Sequence, residues 1–369
     1  MSVTLAPKVD TASRRPTVKR NHRYLLWTLA GAVLIVALTY VLPPFRNYQL
    51  ATVGAYLCVT AGLTVLTGLN GQLSLGHGAL MATGAYTVAL VQEQLAGRGQ
   101  WTLLVAVLAA IVVATVAGGI VGLAAARLRG PYLAGLTLAV AVVVPAIAST
   151  FDKTFNSDQG LSVYVDPPPL ALGATFPYER WQAWLAWAGA LLTLFLLATL
   201  VSGRFGRAMR AVRDDEAAAR IAGVNVARTQ VLAFVVSAAC AGLSGALFAV
   251  LAQSVSPGAF PLTLSLFLVM AIVIGGLGRL TGALIGAFLL VALPSVAQSI
   301  AEDAGSQKLE GNLALTVFGV VLVLVMLAAP GGLASLKFPL RSRKADNETH
   351  RDRPRRRAAG RRLQQRRQQ

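Results

Sequence analysis

Apolar residues fall along this chain in long blocks, neither as single helical stripes nor in strict alternation. The blocks lie at 25–42 and at approximately 49–67, 76–94, 101–126, 131–150, 183–202, 230–252, 263–277, 281–299 and 313–329. Each approaches the ~20 residues that carry an α-helix across the hydrocarbon core, 263–277 being the shortest. Lipid offers the backbone no hydrogen bonds, so blocks of this length read as helices. The pattern predicts an all-α polytopic membrane protein of about ten transmembrane or re-entrant helices. A cleavable signal peptide is the competing reading of the first block, but its length and the want of a clear A-x-A site favour an uncleaved anchor.

Between these blocks one long polar segment, residues 203–228, reads GRFGRAMRAVRDDEAAARIAGVNVAR, with six arginines and three consecutive acids. Asp214 can cap a helix, Asp215 and Glu216 suit the positive end of its macrodipole, and Gly223 stands where it stops. The prediction is a helix of roughly 8 residues, about 12 Å long. Glu216 precedes Arg220 by four, the favourable order for a pair, and Ala217, Ile221 and Val224 make an apolar stripe. Such a helix is built to press its apolar side on something; a solvated loop that merely orients the protein is the alternative.

Charge tests the number of crossings. Ten crossings from a cytoplasmic start put residues 1–23, 127–130, 203–229, 278–280 and 330–369 inside. The outside then holds five of the 33 Lys and Arg: Arg46, Arg98, Lys153, Arg180 and Lys308. That asymmetry predicts two cytoplasmic termini. The organisation is a basic N-terminal tail (1–23), a transmembrane domain (24–336) and an Arg-rich, disordered cytoplasmic tail (337–369). The tail's simplest attraction is to anionic membrane lipid, with RNA as the alternative and no nucleic-acid partner expected. Residues 151–182 form the one sizeable external loop, stiffened by Pro167, Pro168 and Pro169. Trp181, Trp184 and Trp187 follow at helical spacing, as in an aromatic belt.

Composition agrees: 55% of residues are hydrophobic and 13% charged, and the net charge of +18 matters through its placement. Cys58 and Cys240 lie inside apolar blocks and read as small packing residues. His22, His77 and His350 are too scattered to hold a metal. Only His77 falls at membrane depth, either as a functional group or as a neutral histidine satisfied by a neighbour. No G-x-x-x-x-G-K-[ST] occurs, so no P-loop of this chain's own binds ATP, and no catalytic set, metal or cofactor is expected. The spans lack the acidic and basic residues of proton relays, which argues for energy supplied from elsewhere.

Glycine is dense in GLNGQLSLGHGALMATGAY (68–86) and in GGLGRLTGALIGA (275–287), which share a G-x-L-[ST] core, a faint internal repeat. Either these glycines let helices pack closely, or they mark broken helices whose free backbone groups line a polar path. Candidate path residues are Gly71, Gln72, Ser74, Gly76, His77 and Gly78, with Gly275, Gly276 and Gly278.

The stretch 68–86, with 203–234, SAACAGLSGALFA at 237–249 and VMAIVIGGLGRLTGALIGA at 269–287, resembles the inner-membrane permeases of ABC importers for branched-chain amino acids, and the M-type subunit most. The resemblance implies that 203–229 carries a helix that docks on an ATPase, with Arg210, Arg213, Asp214, Asp215, Glu216, Ala217, Ala218 and Gly223 as coupling residues. The family's E-A-A-x-x-x-G appears with four intervening residues between Ala218 and Gly223, shifting the glutamate by one. It further implies a second homologous permease, two cytoplasmic ABC ATPases and a periplasmic solute-binding protein. The expected function is a non-catalytic permease subunit, moving branched-chain amino acids or a related small polar solute (amide, urea) across the inner membrane. An ion-coupled secondary transporter of small solutes is the rival.

Overall fold

Most of the apolar blocks become single helices in a computed structural model, which describes residues 17–95, 101–128, 130–165, 167–169, 173, 176–303, 307–329 and 331–335. In chain order the helices are α1 (Thr17–Val41), α2 (Pro44–Leu63), α3 (His77–Gln94), α4 (Thr102–Ala125), α5 (Pro131–Thr150) and the short α6 (Asp152–Phe155). After them come α7 (Tyr178–Ser202), α8 (Arg204–Asp214), α9 (Glu216–Ile221), α10 (Val226–Ala252), α11 (Leu262–Gly275), α12 (Leu280–Asp303) and α13 (Gln307–Ala328). A wider π-turn, Thr64–Leu69, extends α2. The only strands among the described residues are β1 (Leu161–Ser162) and β2 (Ser254–Val255), a two-stranded antiparallel clip. Residues 1–16 and the Arg-rich tail from 337 onward, with Arg98, lie outside the described residues.

Among the described residues nine helices are long and apolar enough to cross a membrane. The tenth predicted block is α3, whose 18 residues include His77, Tyr86, Gln92, Glu93 and Gln94. Its neighbours explain why polar residues are tolerated there. The helix packs against α4, α5, α10 and α11, and His77, Met81, Ala85, Val88 and Gln92 are buried. A span wrapped by other spans meets side chains instead of lipid, so it need not be apolar all round.

At the centre, α2 and α10 pack together and, of the nine apolar spans, are the most buried, while α1 is the least. Lipid tails are as apolar as leucine, so close packing rather than hydrophobic transfer holds such helices together. The crossings accordingly fall on small residues. A methyl group on Gly245 of α10 would lie 1.9 Å from the Met81 carbonyl oxygen of α3, and one on Gly242 would lie 2.4 Å from Ala114 of α4. Cys58 and Cys240 are free and buried.

The connections sort to two ends. One end gathers the chain near 70–74, 128–134, 212–216 and Gln230 around a cavity of about 560 Å³. The turns near Gly276 and near Gly331 to Ala334 meet at this end too, and Tyr24 reaches Ser202 there through a 2.7 Å hydroxyl contact. The opposite end holds the β1–β2 clip, both hydrogen bonds between the Gln92 amide and the Tyr164 backbone, and Gln253 on the Tyr178 hydroxyl. Among the described residues, those near 128–130, 212–216, 276–278 and 331–334, which the charge count puts on one side of the membrane, therefore share one end of the bundle.

Two expectations shift. The external loop is shorter than 151–182, because α7 starts at Tyr178, behind Pro177. Trp184 and Trp187 also do more than form a belt. Trp184 donates to Thr39 of α1 (3.1 Å), while Trp187 is buried and donates to the Leu50 carbonyl of α2 (2.8 Å). An indole offers a large apolar body and one donor, so it can bolt neighbouring helices together.

Candidate functional site

The polar segment 203–228 folds as two short helices joined by one extended residue. α8 stays helical through Asp214, and the backbone leaves helical geometry at Asp215, with φ −160° and ψ 112°. The cap is therefore Asp215 and not Asp214: its Oδ1 accepts from the amides of Ala217 (2.7 Å) and Ala218 (3.0 Å). The aspartate that can accept those amides is the one already in extended backbone, since a residue still inside α8 points its side chain elsewhere. The helix that follows, α9, has six residues rather than eight.

α9 is held from both flanks. Glu216 pairs with Arg220 at 3.5 Å and accepts from the Gln230 side chain of α10 at 3.0 Å. Ala219 is buried against Val212 of α8 and Val226 of α10. Gly223, at φ +81°, closes the helix, and the Val224 amide returns to the Ala219 carbonyl at 2.9 Å. Asn225 then caps α10 by accepting from the Arg228 amide at 2.9 Å. This arrangement corrects the expected stripe of Ala217, Ile221 and Val224. The inward residue is Ala219, with Val224 half-buried beside it, whereas Ala217, Ala218, Ile221 and Ala222 face out. Ile221 is 90% exposed. In so short a helix the cap and the closing turn set which face looks inward.

Arg213, at the end of α8, joins this pair of short helices to the spans. Its guanidinium donates to the Gly68 carbonyl in the π-turn that ends α2. Its aliphatic part covers Gly71, where an added methyl would sit 3.2 Å from Cγ. The same arginine lies beside Gly278, whose backbone touches Gly68 so closely that a methyl on Gly68 would come 2.2 Å from the Gly278 nitrogen. The two halves of the faint repeat thus meet face to face over one arginine. Gly71 (φ +77°) and Gly278 (φ +78°) both take the left-handed turn that glycine adopts freely. Arg210 reaches the Val201 carbonyl at 3.4 Å, tying α8 to the end of α7.

The proposed path residues separate into two sets. Ser74 and His77 form a chain with Ser237 of α10: Ser74 Oγ to His77 Nδ1 is 2.9 Å, and His77 Nε2 to Ser237 Oγ is 2.6 Å. Both ring nitrogens are thus engaged by neutral hydroxyls. Gln72 accepts from Asn70 at 2.8 Å, and the Gly78 amide donates to Ser265 of α11 at 3.0 Å. Gly76 and Gly275 serve close packing, against the Thr137 and Gly282 carbonyls, and Gly276 lies beside Ala334. Gly71 and Gln72 line the 560 Å³ cavity together with Arg213, Asp214, Asp215 and Glu216. Among the residues whose side chains are described, no Asp, Glu, Lys or Arg is buried. Sequence reasoning missed Ser237, Ser265 and Thr137 as partners of this stretch; each is a small polar residue in a mostly apolar helix that holds other serines or threonines as well, so no local signal singles it out.

Fold and site together define a polytopic membrane protein in which a short helix at one end of the bundle is tied directly to breaks in the spans. Residues 47–329 match the family described as "Branched-chain amino acid transport system / permease component", and the chain belongs to it. It is 31% identical to the high-affinity branched-chain amino acid transport system permease protein LivM of Salmonella typhimurium, over 84% of this chain and 75% of that one. LivM of Escherichia coli K12 is also 31% identical, over 91% of this chain and 79% of its own length. The related permease protein LivH of Escherichia coli K12 is 27% identical, over 75% of this chain and 90% of its own length. No solved structure matches. The chain is thus a permease subunit of the M-type and a multi-pass protein of the inner membrane, and its likeness to both LivM and LivH implies a system with two permeases.

Proposed function

We propose that this chain is the non-catalytic, pore-forming half of an ATP-driven importer of branched-chain amino acids or a related small polar solute. ATP is hydrolysed on two separate cytoplasmic ATPase subunits, a second homologous permease completes the pore, and a periplasmic binding protein delivers the solute. The observation that carries this reading is α9: a capped, three-sided helix whose only large apolar side chain, Ile221, stands out from the protein at the end of the bundle. An isoleucine held in water by a rigid mount suits a partner's groove. The basic residues around α8 and α9 support a cytoplasmic position for that end and for both termini.

Motion of the ATPases is passed through α9 and α8 to Arg213, and from there to the Gly68 and Gly278 turns. A push at this joint changes how α2 and α3 sit against α11 and α12, which alternates access between the binding protein and the cytoplasm. The turn at 70–76, with Gly71, Gln72, Ser74, Gly76, His77 and Gly78, and the turn at Gly275, Gly276 and Gly278 are the proposed path. The amides of Gln72, Leu75, Gly76, Gly78 and Gly276 already have acceptors within the chain, so a solute carboxylate would bind there by displacing those uncharged hydrogen bonds. In intact cells, uptake should stop on ATP depletion and persist with an ionophore; the reverse result would identify an ion-coupled carrier. The purified chain alone should hydrolyse no ATP.

A further inference from the structure

A second cavity lies far from the lever. It is a groove of about 670 Å³ between α1, α2 and α12, with Trp187 of α7 also in its wall, open at the surface of the bundle. Its walls are aliphatic and aromatic, with Leu34, Leu38 and Phe288 exposed along it. From Leu284 to Val296 on α12 it runs twelve residues, about 18 Å at 1.5 Å per residue. One leaflet of the hydrocarbon core is roughly 15 Å deep, half of the full thickness. The groove therefore has the length of one acyl chain.

Its mouth is polar and positive. Arg46 and Gln49 stand there on the first turns of α2, at the end of the bundle opposite the lever. Arg46 forms no ion pair among the described residues, and its guanidinium donates to Gln49 at 3.3 Å. The helix beginning beside it, α2, has no acidic residue in its first turn and no side-chain cap over Pro43. An uncapped helix start with an arginine on its first turn attracts an anion, and phosphate in particular.

We infer that this groove holds one phospholipid with an anionic headgroup from the outer leaflet, its phosphate at Arg46 and the start of α2, one tail along α12. Chain length and charge meet in one place: a bare phosphate would use only the mouth, and a zwitterionic lipid, although it carries the same phosphate, would bring a cationic choline beside Arg46. A lipid fixed here also covers Leu34 and Leu38 of α1, which α7, its main neighbour, leaves exposed.

The test uses the full chain purified in mild detergent, with bound lipids counted by native mass spectrometry, then reconstituted into nanodiscs of phosphatidylglycerol or phosphatidylcholine. The wild type should retain about one phosphatidylglycerol and prefer it to phosphatidylcholine. Arg46→Gln should lower that preference about tenfold, whereas Arg46→Lys should keep most of it. Ala292→Trp, which fills the groove and leaves the arginine, should expel both lipids. Inorganic phosphate should not displace the lipid. A photoreactive residue at position 288 in native membranes should label lipid. Equal preference in wild type and Arg46→Gln overturns the inference, as does displacement by phosphate. Labelling of a protein chain from position 288 overturns it too, and would make the groove a subunit contact.

Discussion

Two residues of the lever carry most of its consequence. Gly223 has open space around it, with nothing within 4 Å of an added methyl, yet its φ of +81° is strained for any side chain. Gly223→Val should therefore cost roughly 1–2 kcal/mol, all of it conformational and all of it local to the turn behind α9. Membrane insertion should be normal in a fractionation assay while solute uptake falls several-fold. Arg213 acts differently, through contacts. Arg213→Ala removes the donor to Gly68 and the cover over Gly71. In this exposed position the stability cost should be at most about 1 kcal/mol. Uptake should nevertheless be lost while ATP hydrolysis by the assembled complex continues, because the lever would swing without moving the spans. Lys in its place offers a charge but no planar fork, so it should restore uptake only in part. Normal coupling in Arg213→Ala would remove this residue from the mechanism.

At the scale of the element, α9 is too short to exist alone, since helices below ~12 residues are marginal in water. It persists because Asp215 satisfies two of its first amides and because Ala219 is clamped between α8 and α10. Asp215→Ala should cost about 1 kcal/mol and speed amide hydrogen exchange across 216–221. Asp215→Asn keeps an acceptor and should change exchange by much less; equal effects of the two would mean the charge, not the cap, matters. Ile221→Glu tests the outward face. With the side chain 90% exposed, the substitution should leave thermal stability within ~0.5 kcal/mol. Capture of the ATPase subunits by the tagged permease should fail. Retained capture with normal uptake would show that α9 is not the docking element.

For the whole molecule, both ends of the bundle and the sorting of its loops make a single sidedness prediction. Cysteines placed at Ile221 and at Glu216 should react with an impermeant maleimide only when the cytoplasmic face is open. One at Tyr164, which is exposed beside the β1–β2 clip, should react from the periplasm. Labelling of the lever from outside would reverse the orientation and end the proposed coupling to ATPases.

Apolar block length, the polar segment with its short capped helix and the asymmetry of arginine and lysine were all readable from the chain, because transfer into lipid, capping and charge placement depend on residues close together in sequence. The same reasoning found Gly223 and the Glu216–Arg220 pair. It placed the cap one residue early, at Asp214, because choosing between adjacent aspartates needs to know where α8 ends. Tertiary structure alone decided the rest. It brought Gly68 to Gly278 across some 200 residues, set Arg213 over both, and wrapped α3 so fully that a span with His77 and Gln92 could be buried. In a membrane every helix is already apolar enough to be in lipid. Which surfaces meet is therefore settled by the fit of small residues and single hydrogen bonds, and no local pattern encodes that.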